Sequence, residues 1–262
     1  MSEPPPLPAL AGRRILVTRA AHQAGRLSHG LRALGAEPVE VPVLEIHPPQ
    51  SFATLDAALR GFNAYEWIIF TSANTVRALV ERSASLGISF GSAIQPRVAA
   101  IGEATATAAS NAGFTVSLVP PSYVAESLVE GLADQASGRR ILLARAESAR
   151  DVIPDVLRQA GAQVDVVDAY RNVLPESAPE LLRRALAGRI DAATFTSSSS
   201  ALHLAEAARR AGISFPFGGV RAISIGPITS QTLRELGWEP AAEASPSDIP
   251  GLIAAAVQAL RC

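Results

Sequence analysis

Short apolar runs recur along the chain, each followed by a longer stretch in which apolar positions return every three or four residues. The runs Ile15–Thr18, Ile68–Thr71, Val98–Ile101, Ile141–Ala144, Ala193–Thr196 and Ala222–Ile225 carry no charge. Such runs suit central strands of a parallel sheet, because helices cover both of its faces and leave no side for charge. The Ala-, Leu- and Arg-rich segments 22–34, 73–86, 103–112, 150–160, 176–187, 198–211 and 228–236 predict helices. Pro250 and Gly251 fall near the start of a last predicted helix, 249–260, where proline costs little because its missing N–H would be unpaired anyway. A second strand is predicted in each half, at 39–46 and 164–171. Strands alternating with helices define an α/β fold with parallel sheets.

The pattern repeats. RRILVTR (13–19) matches RRILLAR (139–145), and the helical stretch after each ends in a glycine, Gly35 or Gly161, at the same spacing of 126 residues. FTSANTV (70–76) matches FTSSSSA (195–201), IGEAT (101–105) matches IGPIT (225–229), and GFTV (113–116) matches GWEP (237–240). PPSYVAESLVEGL (120–132) matches SPSDIPGLIAAAV (245–257). One α/β unit gives one such match by chance of composition; five in the same order predict an internal duplication and two lobes. Two divisions fit the repeat. Tandem lobes divide near 137; alternatively one lobe is continuous over roughly 48–170 and the other combines 13–46 with 173–262. Either way the second strands lie near the junction, and the working site is expected between the lobes.

Composition narrows the function. At 262 residues, 48% hydrophobic and 18% charged, the chain holds enough apolar surface for two cores. A formal net charge of −1 provides no bulk attraction to nucleic acid. The single cysteine, Cys262, forms no internal disulfide and is a poor site for a nucleophile, as expected of a cytoplasmic protein. No apolar run is long enough to cross a membrane. Residues 1–12, with four prolines and no basic segment, suggest a flexible tail. The four histidines, His22, His29, His47 and His203, lack metal-ligand spacing, so no metal is expected.

Ligands of parallel sheets bind beyond the carboxyl ends of the strands, where helix N-termini offer free N–H groups to anions. The residues after each predicted strand are therefore the candidates. Arg19 and its twin Arg145 follow the first strand of each half. Thr71, Ser72 and Asn74 follow the next, with twins Thr196, Ser197 and Ser199; Thr105, Thr229 and Ser230 follow the IG turns. Each hydroxyl alone is an ordinary helix cap, and each arginine alone an ordinary ion-pair partner. Together they form a rim suited to a polyanion, since arginine grips carboxylates through two parallel hydrogen bonds. Arg171 and Arg221 are expected to add positive charge there. Gly102 and Gly226 permit tight turns into the next helix, with Pro227 in its first turn. The chain has no GKS/T phosphate loop, no GxGxxG after its first strand and no GxSxG elbow. Tyr170, one of three tyrosines, ends an apolar strand and is placed to donate a proton or hydrogen bond to a leaving oxygen. Tyr123 stands in a loop that suggests a flap.

ILVTRA (15–20), LGAEPVEVPVLEI (34–46), WIIFTSANTV (67–76), AIGEAT (100–105), DAYR (168–171), TFTSSSS (194–200), ISIGPITSQTL (223–233) and SPSDIPGLIAAA (245–256) resemble, in order and spacing, the uroporphyrinogen-III synthase family. The resemblance runs from Arg13 to near the end. Many members carry proline where this chain has Ser198. The resemblance implies two flavodoxin-like parallel-sheet lobes, one of them discontinuous, joined by two crossing strands. It implies a cofactor-independent, metal-free cytoplasmic monomer acting on hydroxymethylbilane, a linear tetrapyrrole with eight carboxylates. Its hydroxyl leaves as water, and ring D is inverted through a spirocyclic pyrrolenine during closure to uroporphyrinogen III. Tyr170 then matches the tyrosine that assists departure of the hydroxyl. Ser72, Ser197, Thr105 and Thr229 match residues of the binding turns, with Ser199 and Gly226 beside them and Arg19 and Arg145 as side-chain contacts. The alternatives are a non-catalytic two-lobed binder of an anionic metabolite and a two-lobed sugar-nucleotide transferase.

Overall fold

The six uncharged runs form the centres of two sheets in a computed structural model that describes residues 8–90, 96–121, 125–148 and 151–261. One sheet comprises β1 (Arg14–Val17), β2 (Glu37–Glu40), β9 (Ala192–Phe195), β10 (Arg221–Ser224) and β11 (Pro240–Glu243), in the spatial order β11-β10-β9-β1-β2. The other comprises β3 (Glu45–His47), β4 (Trp67–Phe70), β5 (Arg97–Ala100), β6 (Val116–Leu118), β7 (Arg140–Ala146) and β8 (Gln163–Val173), in the order β3-β8-β7-β4-β5-β6. Within each, β1, β2, β9, β10 and β11, and β4 to β8, pair in parallel. Counted from β1, the first sheet runs 2-1-3-4-5, the flavodoxin-like order. Counted from β7, the second repeats that order, with β3 added beyond β8.

The chain divides into two compact units, Met1–Glu45 with Val173–Cys262, and Ile46–Asn172. In unit 1, alternate strand residues serve two cores. Leu16, Ala193, Phe195 and Ala222 face one, and Ile15, Val17, Ala192 and Ile223 face the other. Unit 2 does the same with Ile68, Phe70 and Leu142 against Ile69, Ile141 and Leu143. The period of two explains why neither face of these runs tolerates a charge.

Three features differ from the sequence pattern. The stretch 39–46 is not one strand: it splits into β2 and β3, because Pro42 has no N–H to continue the ladder. Residues 8–12 are not a loose tail. Leu10 is fully buried, its amide donates to the Leu34 carbonyl at 2.9 Å, and the Gly12 amide donates to that of Gly35 at 3.2 Å. Leu10 joins Leu27 and Leu31 of α1 (Ala21–Ala33) in one core, and with these hydrogen bonds it holds the segment against the unit. Helices α2 (Ala53–Arg60) and α5 (Ala125–Ala136) are additional to those read from periodicity; α2 is only eight residues long, too short for a stable repeat to show.

The amino edges of both sheets carry the same clamp. Asp191, just before β9, accepts the Arg14 amide of β1 at 2.9 Å and pairs with Arg13 and Arg189. Glu66, just before β4, accepts the Arg140 amide of β7 at 2.6 Å and pairs with Arg139. Each ties together the two strands between which the sheet order reverses. Burial pushes the Asp191 carboxyl up, but the Arg14 amide and the Arg13 and Arg189 guanidiniums outweigh it and hold its pKa below the usual range. The Arg140 amide, ahead of the Arg139 guanidinium, holds Glu66 low as well. A carboxyl depressed on folding stabilises the protein above its unfolded pKa of about 4, and that contribution is lost as pH falls through the folded value. Asp191→Ala should therefore lower the unfolding free energy by about 2 kcal/mol at pH 7, because the Arg14 amide loses its acceptor. In urea unfolding, the gap between variant and wild type should close below about pH 4; a gap independent of pH would refute the clamp.

Candidate active site

In unit 1 the strand order reverses between β1 and β9, which are neighbours. Arg19 leaves the carboxyl end of β1, and Ser197 leaves that of β9. The Arg19 guanidinium is half-buried. Its Nε is shut off from solvent and makes no hydrogen bond, and Nη2 donates only to Gln23 Oε1 at 3.3 Å. Among the described residues, no carboxylate lies within ion-pair range of it. Burial and then the nearby Arg26 charge lower its pKa. A desolvated cation without an anion is unfavourable in isolation, and an incoming carboxylate relieves it.

Ser197 caps α8 (Ser198–Ala211). Its Oγ accepts the Ser200 amide at 3.2 Å while Ser200 Oγ accepts the Ser197 amide at 3.3 Å, a reciprocal capping box. Ser199 is half-buried in the first turn of that helix. Gly226 precedes α9 (Pro227–Glu235) in extended backbone, φ 171°, which any residue can adopt. A Cβ there would lie 2.8 Å from Ser247 Oγ, so a side chain would have to displace that hydroxyl. Thr229, at the third helical position, is 4% exposed. Ser230 is fully buried and bonded to Ser224 and Glu243, so it is spent within unit 1.

In unit 2 the reversal falls between β7 and β4. Ser72 caps α3 (Ala73–Ser85) by accepting the Thr75 amide at 3.2 Å, and its Oγ lies 2.9 Å from Thr75 Oγ1. Tyr170, on β8 and 7% exposed, brings its phenol to 3.2 Å from the same Ser72 Oγ. The phenol thus sits beside the positive end of α3, where a developing negative charge is favoured. Tyr170 also borders a cavity of about 340 Å³ with Phe52, Glu81 and Arg82, but Arg82 is already gripped by Asp56 at 2.6 and 2.7 Å. Gly102, before α4 (Glu103–Asn111), has φ +86° and does require glycine. Thr105, at the third helical position, is 3% exposed.

The structure brings most of the expected residues to the carboxyl edges of the sheets, with four corrections. Arg145 is not an open counterpart of Arg19: it pairs with Asp151 at 2.7 Å and Asp168 at 3.9 Å. Thr105 and Thr229 are buried, because the third helical position turns back over the first turn toward the sheet. Arg221 begins β10 at the opposite, amino edge and donates to the Ala259 carbonyl. Gly226 has no special backbone angle. Arg171 remains near the strand crossing, its Nε donating to the Pro48 carbonyl at 3.1 Å. Tyr123 and Cys262 lie outside the described residues. Sequence reasoning missed Asp151, Asp168 and Thr75 as partners; Asp168 stood inside the DAYR segment without a role. Among the described residues, no group of three or more His, Cys, Asp or Glu side chains is placed to hold a metal, and no helix is long and apolar enough to cross a membrane.

The fold is that of a doubly wound α/β protein of two units, each with helix N-termini gathered at the carboxyl ends of its strands. Residues 25–254 match the family described as Uroporphyrinogen-III synthase HemD. The chain is 35% identical over 257 residues to the uroporphyrinogen-III synthase of Synechococcus elongatus, covering 95% of this chain and 96% of that protein. It is 34% identical over 229 residues to a putative uroporphyrinogen-III synthase of Methanothermobacter thermautotrophicus, covering 84% and 88%. It shares its fold with a mutant uroporphyrinogen III synthase from Thermus thermophilus (TM-score 0.66, 21% identity, 95% of this chain and 99% of that one). It does so too with uroporphyrinogen-III synthetase from Helicobacter pylori (TM-score 0.60, 19% identity, 95% and 100%). The chain belongs to the uroporphyrinogen-III synthase family.

Because Arg19 carries an uncompensated, half-buried charge, Arg19→Gln should stabilise the free protein. We expect a thermal midpoint about 2–4 °C higher by calorimetry, the shift that about 1 kcal/mol produces in a chain of this size. A midpoint lowered by the substitution would mean that the guanidinium has an anionic partner in the free protein.

Proposed function

We propose that this chain converts hydroxymethylbilane to uroporphyrinogen III. The observation that carries the assignment of chemistry is the Tyr170 phenol, buried and 3.2 Å from the hydroxyl that caps α3. Tyr170, directly or through Ser72, protonates the terminal hydroxyl of the bilane, which departs as water and leaves an azafulvene. The phenolate that remains is held by Ser72 and the first-turn dipole of α3. The substituted α-carbon of ring D attacks the azafulvene and forms the spirocyclic pyrrolenine. The older bond between ring D and its bridge to ring C then breaks, and the bridge recloses on the free α-carbon of ring D, inverting it. Loss of a proton restores aromaticity. The net change is loss of one water with no oxidation or reduction, so the reaction asks for no redox cofactor.

Most of the work is positioning, since the free bilane closes without inversion. Arg19, Ser197, Ser199 and the amides of the first helical turns beyond Gly102 and Gly226 take substrate carboxylates. Thr105 and Thr229 shape those two turns from below. In this reading the working form is a cytoplasmic monomer, and the formal net charge of −1 supports a small-molecule partner over nucleic acid.

The test is to supply hydroxymethylbilane and identify the porphyrin isomer after oxidation. An excess of type III supports the proposal, and type I alone at the uncatalysed rate refutes it in favour of a binding protein. Tyr170→Phe should lower turnover about 10²–10⁴-fold, the usual contribution of a positioned acid, with an unchanged far-UV spectrum. Arg19→Gln should raise KM more than it lowers kcat, because a carboxylate seat serves substrate and transition state alike.

A further inference from the structure

The two arginines at matching strand ends have different surroundings. Arg19 stands two residues beyond β1, with no carboxylate near it among the described residues. Arg145 lies inside the longer β7, and its side chain is 12% exposed. Its Nη1 reaches Asp151, the residue just before α6 (Val152–Gln159), at 2.7 Å, while its Nε, shut off from solvent and making no hydrogen bond, lies 3.9 Å from Asp168, its ladder neighbour on β8. A guanidinium already facing two carboxylates is a poor seat for a third anion.

The β7–β8 register shows what this contact holds. Arg145 pairs with Asp168, but the next residue, Ala146, pairs with Tyr170, so Ala169 is an extra residue. Beyond it the ladder resumes, with the Glu147 amide donating to the Tyr170 carbonyl at 2.9 Å. Because successive side chains on a strand face opposite ways, one inserted residue turns everything after it to the other face. Tyr170 therefore owes its direction to the bulge. At the positions 126 residues before Asp168 and Tyr170 stand Pro42 and Leu44, and the matching arginine is Arg19, which has no carboxylate partner among the described residues. Carboxylate, phenol and paired arginine occur together or not at all.

We infer that Arg145 is a positioning residue for the proposed reaction: through Asp168 and Asp151 it fixes the β8 bulge that points the Tyr170 phenol at Ser72. The role rests on the assignment of Tyr170 as the acid, and it replaces the expectation that Arg145 binds substrate.

The experiment compares wild type, Arg145→Met, Asp168→Asn and the double variant in steady-state kinetics. In parallel, 19F spectra are recorded on protein labelled with 3-fluorotyrosine, which has only three tyrosines to resolve, Tyr170 being assigned by Tyr170→Phe. Each single variant should lower kcat about ten- to a hundredfold, as a small misplacement of a reacting group does. KM should stay within about twofold, and the double variant should be no worse than the poorer single. The Tyr170 resonance should shift or broaden while those of Tyr65 and Tyr123 stay. A rise in KM with kcat retained, or an unmoved Tyr170 resonance, overturns the inference. If Arg145→Met does not fold, Asp168→Asn decides by the same criteria. A wild type that makes no type III isomer would instead sink the reaction assigned to the site, and the 19F shift would still settle whether Arg145 places Tyr170.

Discussion

Parallel strands deliver their carboxyl ends to one edge, and the helices that follow begin there. Every first-turn amide and every helix-capping hydroxyl of a unit therefore collects on a single rim, with the positive ends of the helix dipoles. Where the strand order reverses, two adjacent helices leave on opposite faces and the rim opens. In this chain that point falls between β1 and β9 in unit 1 and between β7 and β4 in unit 2. Arg19 and Ser197 stand at the first, Ser72 and Tyr170 at the second. The opposite edge closes each sheet through the Asp191 and Glu66 clamps, so the clamps and the helix starts occupy different ends of the same strands.

The positions that match in the sequence repeat have different surroundings in the two units. Unit 1 has an arginine with no carboxylate partner among the described residues, and a leucine where unit 2 has Tyr170. In unit 2 the matching arginine meets two carboxylates, and the Tyr170 phenol, the acid of the proposed reaction, lies beside a helix N-terminus. The proposed rearrangement involves no redox change, so in that reading the lack of a catalytic triad in the sequence is no obstacle.

The fold was legible because its signals are periodic. Uncharged runs of four residues and glycine-ended helices appear at fixed spacing, and helix 198–211 is found where the pattern puts it. What was not legible depended on single residues acting across the chain. Pro42 breaks one predicted strand in two, and Leu10 anchors a segment that looks like tail. The rim was legible as a set of residue types after strands, because strand ends are shared by all such sheets. Individual roles were not: no periodicity distinguishes Arg19 from Arg145, since their difference lies in Asp151 and Asp168. Likewise the burial of Thr105 and Thr229 follows from the direction of the third helical side chain, which a motif does not display.

The central claim is that polycarboxylate tetrapyrrole sits on these strand-end rims, held by first-turn amides. Hydrogen–deuterium exchange with and without uroporphyrinogen III, kept reduced, reads those amides directly. The account predicts slowed exchange over 19–23, 73–76 and 198–201, and no change around the Asp191 and Glu66 clamps. Protection at the clamp edge, or none at the helix starts, would contradict it.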